Sequence, residues 1–413
     1  MRSGHGAEDL IPHYQLINIF RFLLVSLSID AILQESTIYR RRERLNEMTG
    51  GMGLGGAYDA IIERIKAQGG DKSRLGMEAL MWVSHAERPL SADELRCALA
   101  VELGSTDFNA GNIPSIRTLE SCCQGLITVD KEASTVRLIH YTVMEYVTYR
   151  PDILSKPHSA MAEICLTYLN SEQVKAIPVN RYAGPLDNSF LNYCSLYWGV
   201  HAKRELSDYA RSLALGLLQE YDGRVSTELL LNRVKDQDLR SFDPNFRFSG
   251  LHCASFFGIA ELVAALIETG CCDINERDLG GDTPLSWAAS NGHEEVVVIL
   301  LAQEEIIADI SNNYGQTPFS YAAQYGHEGV VRILLEREKV SPDKPDNGGR
   351  TPLSHAAQSG HEGVVKILLG REEVNPDKPD NDGLTPLMFA AKHGHEGVIA
   401  LLRFYEAVAH SAI

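Results

Sequence analysis

TPLSHAAQSGHEGVVKILL, residues 351–369, is the stretch whose reading decides the fold. Moved by 34 residues it returns as TPFSYAAQYGHEGVVRILL at 317–335 and as TPLMFAAKHGHEGVIALLR at 385–403, and one step further upstream as TPLSWAASNGHEEVVVILL at 283–301. A degenerate fifth copy, SGLHCASFFGIAELVAALI, occupies 249–267. Self-similarity at a fixed period of this size marks units that stack because none can bury its apolar face alone. Each part of the motif has a local task. Proline in the first turn of a helix gives up a bond that would not be made there, and the preceding threonine can accept from a free N–H. The pairs Thr283/Pro284, Thr317/Pro318, Thr351/Pro352 and Thr385/Pro386 therefore predict helix starts. The Ala-Ala pair lets a second helix come close. Gly258, Gly292, Gly326, Gly360 and Gly394 are placed to end that short helix, and the V-V-x-I-L-L run behind each has the apolar spacing of an antiparallel partner helix. Stretches such as REEVNPDKPDNDG at 371–383 are too rich in Pro, Asp, Asn and Gly for a helix and predict an extended excursion with a tight turn.

These residues resemble the ankyrin repeat, whose T-P-L-H-x-A and G-H motifs stand here as T-P-L-S-x-A and G-H-E. Two departures are visible. The motif histidine is replaced by Ser286, Ser320, Ser354 and Met388 and survives as His252, and each unit is one residue longer than the usual ~33. The added residue falls after the second helix, where the first copy has Gly270, so the turns after Leu301, Leu335 and Leu369 are expected to differ from the family's form. His293, His327, His361 and His395 each precede a glutamate but have valine four residues on, which removes the second ligand that a zinc-protease helix requires. Their recurrence with the structural period points to a role in fixing the turn between the two helices.

Ahead of the repeats the pattern changes. GMEALMWVSHA and SADELRCALAVE read as helices, the second opened by Ser91 with Glu94 three residues later as a capping box, and SIRTLESCC as a third. QGLITVD and STVRLIH then form a β-rich pair around KEA, followed by the helical YTVMEYVTY. Helices, a hairpin and a helix in that order describe a winged helix. The run RPLSADELRCALAVE, with CCQGLITVD and VRLIHYTVMEYV, also resembles the winged-helix module, often labelled with the GPI inositol-deacylase name, that follows the NACHT domain in fungal NLR-like proteins. FRFLLVSLSIDAIL resembles the tail of the NACHT region, and CLTYLN with YCSLYWGVHAKR the helical stretch that leads into the repeats. The resemblance implies a mainly α chain: a helical remnant of the NACHT region over 1–49, a glycine joint and linker helix over 50–74, a winged helix over 75–155, a helical linker over 156–240, and an ankyrin-repeat α-solenoid of five copies, the first and last atypical, over 241–409.

No catalytic apparatus accompanies this frame. Gly51, Gly53 and Gly56 in GGMGLGG have the G-x-G-x-x-G spacing, yet a helix-like segment with four arginines precedes them where a dinucleotide fold needs a strand. A glycine stop between helices is the better reading. No P-loop lysine motif and no G-x-S-x-G elbow occurs in the sequence. His85, His140 and His158 are scattered singles, and Trp198 with His201 has the spacing of a buried helix face. Eight cysteines without C-x-x-C spacing read as reduced thiols, with neither a disulfide scaffold nor a zinc site. No enzyme and no cofactor are expected. The apolar run 16–33 contains Arg21 and Asp30, which makes a membrane span costly, and the N-terminus lacks secretory features, so the expected location is the cytoplasm or, within the cell, the nucleus.

Net charge is −17, and residues 249–413 carry 11 Lys+Arg against 24 Asp+Glu. Residues 74–150 hold 7 Lys+Arg and 10 Asp+Glu, so a nucleic-acid-binding winged helix, the second alternative function, lacks its phosphate-binding charge. The first alternative is a fragment of an ATP-driven switch whose NACHT domain lies upstream. The leading expectation is a non-catalytic interaction protein, its array on an NLR-like regulatory scaffold, that takes a protein partner, basic in character, and neither nucleic acid nor membrane. Family geometry places the contact on the concave side, at Tyr314, Gln316, Gln324 and Tyr325 in one unit, Asn347, Arg350, Gln358 and Ser359 in the next, and Leu384, Lys392 and His393 in the last. These positions vary in side-chain type while their neighbours hardly change between copies.

Overall fold

The computed structural model describes residues 37, 40, 54–130, 132–177, 189–234 and 248–411. They divide into two compact units, 54–102 with 109–160, and 103–108 with 161–411. Among the described residues there are twenty α-helices and one two-stranded sheet, so the chain is mainly α and its C-terminal part is an α-solenoid.

The first unit runs α1 (Leu54–Ala67), α2 (Gly70–His85), α3 (Ala92–Leu99), α4 (Ile116–Cys122), the antiparallel pair β1 (Ile127–Asp130) and β2 (Thr135–Leu138), and α5 (Tyr141–Thr148). The capping box forms as read: the Ser91 hydroxyl accepts from the Glu94 N–H at 3.1 Å, and the Ser91 N–H donates to the Glu94 carboxylate at 2.8 Å. Arg88 donates to the same buried carboxylate at 2.9 Å, which pairs a charge that would otherwise be costly to bury. Ser91 also bridges to Thr135, and the Val136 N–H donates to the Leu90 carbonyl at 2.9 Å, so the hairpin gains a third short rung from the segment before α3. Trp82, Leu80, Leu95, Leu119, Leu126 and Val143 fill the core. His140 is the N-cap of α5, its Nδ1 accepting from the Thr142 N–H, so it serves the backbone.

The expected remnant helix over 1–49, the apolar run 16–33, and Gly50, Gly51 and Gly53 lie outside the described residues, residues 37 and 40 aside. Gly55 and Gly56 belong to α1, so the part of the glycine joint drawn over 50–56 that the structure describes is helical. In the first turn a helix's N–H groups have no intrahelical partner anyway, so glycine costs little there. A break falls at Gly69 and Gly70, with φ of 73° and 52°, and α2 begins early enough that the boundary drawn at 74/75 cuts through a helix.

In the second unit, α6 (Pro157–Leu169, most of it in this unit), α7 (Glu172–Lys175), α8 (Ser189–Arg204), α9 (Asp208–Gln219) and α10 (Val225–Val234) precede the array. Trp198 and His201 are buried in α8, where the Tyr193 hydroxyl lies 2.9 Å from His201 Nε2. Five hairpins follow: α11 (Gly250–Phe257) with α12 (Ala260–Glu268), α13 (Pro284–Ser290) with α14 (Glu294–Leu301), α15 (Pro318–Gln324) with α16 (Glu328–Leu335), α17 (Pro352–Ser359) with α18 (Glu362–Leu369), and α19 (Pro386–His393) with α20 (Glu396–Ser411). Each inner helix lies against the next inner helix and each outer against the next outer. Ala288, Ala289, Ala322, Ala323, Ala356 and Ala357 are fully buried between them. The threonines cap as expected, the Thr351 hydroxyl accepting from the Ser354 N–H at 3.2 Å. In two interior units, serine at the former histidine position answers, the Ser354 and Ser320 hydroxyls accepting from the N–H of Thr351 and Thr317. After the first outer helix the residue behind the cap, Gly270, turns through φ 65°, whereas Gln303 and Arg337, behind the caps of the next two, do not enter the left-handed region, so those turns differ from the glycine turn.

Candidate recognition surface

The turn tips are built from one recurring side chain. Asp278, Asn312, Asp346 and Asp380 each accept, through one oxygen, the N–H four residues on: Asp282, Gln316, Arg350 and Leu384, at 2.8–2.9 Å. The other polar atom reaches nine residues on to the inner helix, and the partner changes in every unit. Trp287 Nε1 donates to Asp278, Asn312 donates to the Tyr321 hydroxyl, and His355 Nε2 lies 2.9 Å from Asp346. In the last unit that inner-helix position is Phe389, which has no polar atom. Arg350 of the preceding unit compensates, its guanidinium 5.3 Å from the Phe389 ring centroid and 3.8 Å from the Asp380 carboxylate. Burial outweighs the Asp346 carboxylate and lowers the His355 pKa.

Three kinds of periodic contact join successive units, at four, three or two of the junctions. First, Asn313, Asn347 and Asn381 donate side-chain N–H to the carbonyls of Leu279, Asn313 and Asn347 at 2.8–3.0 Å, a ladder along the tips. Second, Lys344 and Lys378 reach the carboxylates of Asp309 and Asp343 at 2.9 and 2.8 Å and also donate to their backbone carbonyls. Third, Nε2 of His293, His327, His361 and His395 lies 2.9–3.0 Å from the carbonyls of Phe256, Ser290, Gln324 and Gln358. The histidine therefore does not fix the turn of its own hairpin, as its spacing suggested. It staples its unit to the end of the preceding inner helix. The imidazole lies over the glycine that ends that helix: a Cβ on Gly326 would come within 2.5 Å of His361, so glycine is required by space as well as by its φ of 78°. His293 has an additional neighbour, since Lys203 Nζ lies 3.1 Å from its Nδ1.

The residues proposed for contact divide by what else holds them. Tyr314 and Tyr325 are 65% and 52% exposed, and Tyr325 stacks nearly parallel to Tyr321. Gln316 and Gln324 are half-buried and bonded to each other at 3.0 Å. Asn347 is exposed but committed to the ladder, Arg350 is half-buried against Phe389, and Gln358 and Leu384 are half-buried. Ser359, Lys392 and His393 are exposed, with His393 Nδ1 3.0 Å from the Phe389 carbonyl. Reading spacing alone missed Met388, 51% exposed, and the Lys-Asp series, although the repeated PDKPDN at 342–347 and 376–381 was its visible signal.

A family model described as ankyrin repeats (three copies) matches residues 251–346 and 338–410. These are ankyrin repeats. A second model, described as the winged helix domain of GPI inositol-deacylase, matches residues 63–155. Among curated proteins the chain is 38% identical over 68 residues to the human photoreceptor ankyrin repeat protein. That match takes in 16% of this chain and 15% of the relative's length. Among the described residues no helix is long and apolar enough to cross a membrane. Ankyrin repeats characteristically serve as protein-binding modules, and the deacylase name attaches here to a winged helix alone.

Proposed function

We propose that this chain is a non-catalytic interaction protein whose ankyrin array holds a protein partner on its concave face, with the first unit and the helices α6–α10 acting as an NLR-like regulatory scaffold in the cytoplasm. The observation that carries the reading is the pair of exposed tyrosines, Tyr314 and Tyr325, on the unit in the middle of the array. Exposed aromatic rings are costly to leave in water and bury much area at small entropic loss, which is why they anchor interfaces. Gln316 and Gln324 offer amides beside them, and Lys392 and His393 vary the last unit. The excess of 24 acidic over 11 basic residues in 249–413 favours a partner that carries basic groups around an apolar centre and disfavours nucleic acid. The parts of the chain would then be a helical remnant over 1–49, a linker ending near Gly70, a winged helix to 155, a helical linker to 240 and the repeats to 409.

Co-purification with mass spectrometry identifies the partner, and titration of the Tyr314→Ala and Tyr325→Ala variants tests the surface. A loss of about 1–4 kcal/mol at one or both is expected of anchors. Parent-like affinity in both, with binding abolished by surface changes within 63–155, would move recognition to the winged helix.

A further inference from the structure

The hairpin of α13 and α14 differs from the two that follow it on the side that faces solvent. Where they carry exposed Arg332 and Lys366 it has Val298, 49% exposed, and where they carry exposed Ser341 and Asn375 it has Ile307, 59% exposed. Ala302, also exposed, stands at the position of Glu336 and Gly370. The fold does not require apolar groups here, because the next two hairpins build the same helix and turn with charged and polar ones. Val298 and Ala302, four residues apart, share one face of α14. With Leu301, Ile306, Ile307 and Ala308, Ala302 lines a cleft of about 650 Å³ between the ends of α14 and α16. Its two edges are charged unequally. On the α16 side Arg337 and Lys339 balance Glu336 and Glu338, whereas on the α14 side Glu304 and the exposed Glu305 follow Gln303, the position that is Arg337 and Arg371 in the next two turns.

We propose that Val298, Ala302 and Ile307, with this cleft, form a second docking surface, for an amphipathic helix of a partner protein that lays apolar side chains against α14 and carries lysine or arginine on the edge beside Glu304 and Glu305. Contiguous apolar groups left in water mark a place where a partner removes them from it. A helix is the fitting occupant, since the outer helices present side chains and no open strand edge, and such a surface is read by side chains at i, i+3 and i+4. Charge selects against two other occupants. A two-fold contact with a second copy would bring Glu304 and Glu305 close to their own counterparts, and anionic lipid headgroups would meet the same acids. The hairpins α11/α12 and α15/α16 flank the surface on both sides, so a repeat stacked at either end of the array leaves it as it is. It belongs to an outer helix and the turn behind it, whereas Tyr314 and Tyr325 belong to a turn tip and the end of an inner helix, so this reading and the concave one can fail separately.

The probe is a labelled helical peptide with leucines along one face and lysines along one edge, titrated into the full-length chain by fluorescence anisotropy beside a version with glutamate in place of each lysine. The lysine peptide is expected to bind below about 100 μM, and the glutamate peptide about tenfold or more weaker. Val298→Arg combined with Ile307→Asn puts in residues that the following hairpins carry at these positions, so the double variant should melt like the parent while binding the lysine peptide about tenfold or more weaker. Tyr325→Ala should bind it as the parent does. The proposal is overturned if the lysine peptide fails to bind at about 100 μM, if the glutamate peptide binds as tightly, or if the double variant binds as the parent does. A double variant that melts below the parent would overturn it too, because the two side chains would then be packed within the chain. Loss of binding in Tyr325→Ala would put the peptide on the concave face, which removes this surface and leaves that one standing.

Discussion

The array and the first unit solve the same problem, closing a core with short helices, by opposite means. In the array one contact is written once and used again every 34 residues: a histidine on a carbonyl, an asparagine on a carbonyl, an alanine pair against the next helix. In the first unit each contact occurs once. Glu94 joins the Ser91 cap to Arg88, and the Leu90 carbonyl holds β2. Redundancy of form gives the array contacts whose failure spreads only to neighbours, whereas loss of a single contact in the first unit acts on the whole of its small core.

The largest effect that would break this comparison is at Gly326. Alanine there should destabilise the array by about 2–4 kcal/mol, from the left-handed backbone and the displaced His361 ring. The same change at Gly394, which has a similar φ but no ring over it, should cost only about 1–2 kcal/mol, and equal losses in chemical denaturation would remove the staple from the account. Next, Ala357→Leu should cost about 1–3 kcal/mol by overpacking. Hydrogen exchange should show the loosening in α15 through α20 and leave 63–155 untouched. Ser91→Ala should cost about 1 kcal/mol and raise exchange in α3 and the hairpin without moving the array's melting transition.

The smallest effect concerns acid. Burial first, and Lys203 second, depress the His293 pKa from 6.5 to about 4. The unfolded chain therefore takes up this proton at higher pH than the folded one, so the contribution is complete above about pH 6.5 and is lost as the pH falls towards 4. Solvent screening trims it, because the ring is only partly buried. A melting midpoint that drops between pH 6.5 and 4 by less in His293→Gln than in the parent is the expected result.

The helices, their caps and the turn glycines of the array were legible because they depend on neighbours in sequence: Thr351 caps the N–H three residues away, and Gly360 ends its own helix. The histidine was located but misassigned, since its acceptor is 37 residues upstream and no local spacing reveals it. For the recognition surface, periodicity picked out the variable positions. It could not tell the open Tyr314 from Arg350, whose half-buried state depends on Phe389 in the following unit lacking a polar atom. The break at Gly69 went unread for a similar reason: helix starts such as that of Gly55 and Gly56 tolerate glycine, so composition alone does not place a break.

The histidine staple has a consequence for how such a gene can change. Residues 317–335 and 351–369 differ at only four positions, so the coding segments are close enough to misalign and exchange. Because every staple runs from one unit to the unit immediately before it, an exchange that deletes or duplicates one whole period leaves each histidine over a glycine and beneath a carbonyl, as it was. Array length is thus free to vary by heritable steps of one unit while the fold registers no error, and what varies between such lineages is the sequence of side chains offered to partners.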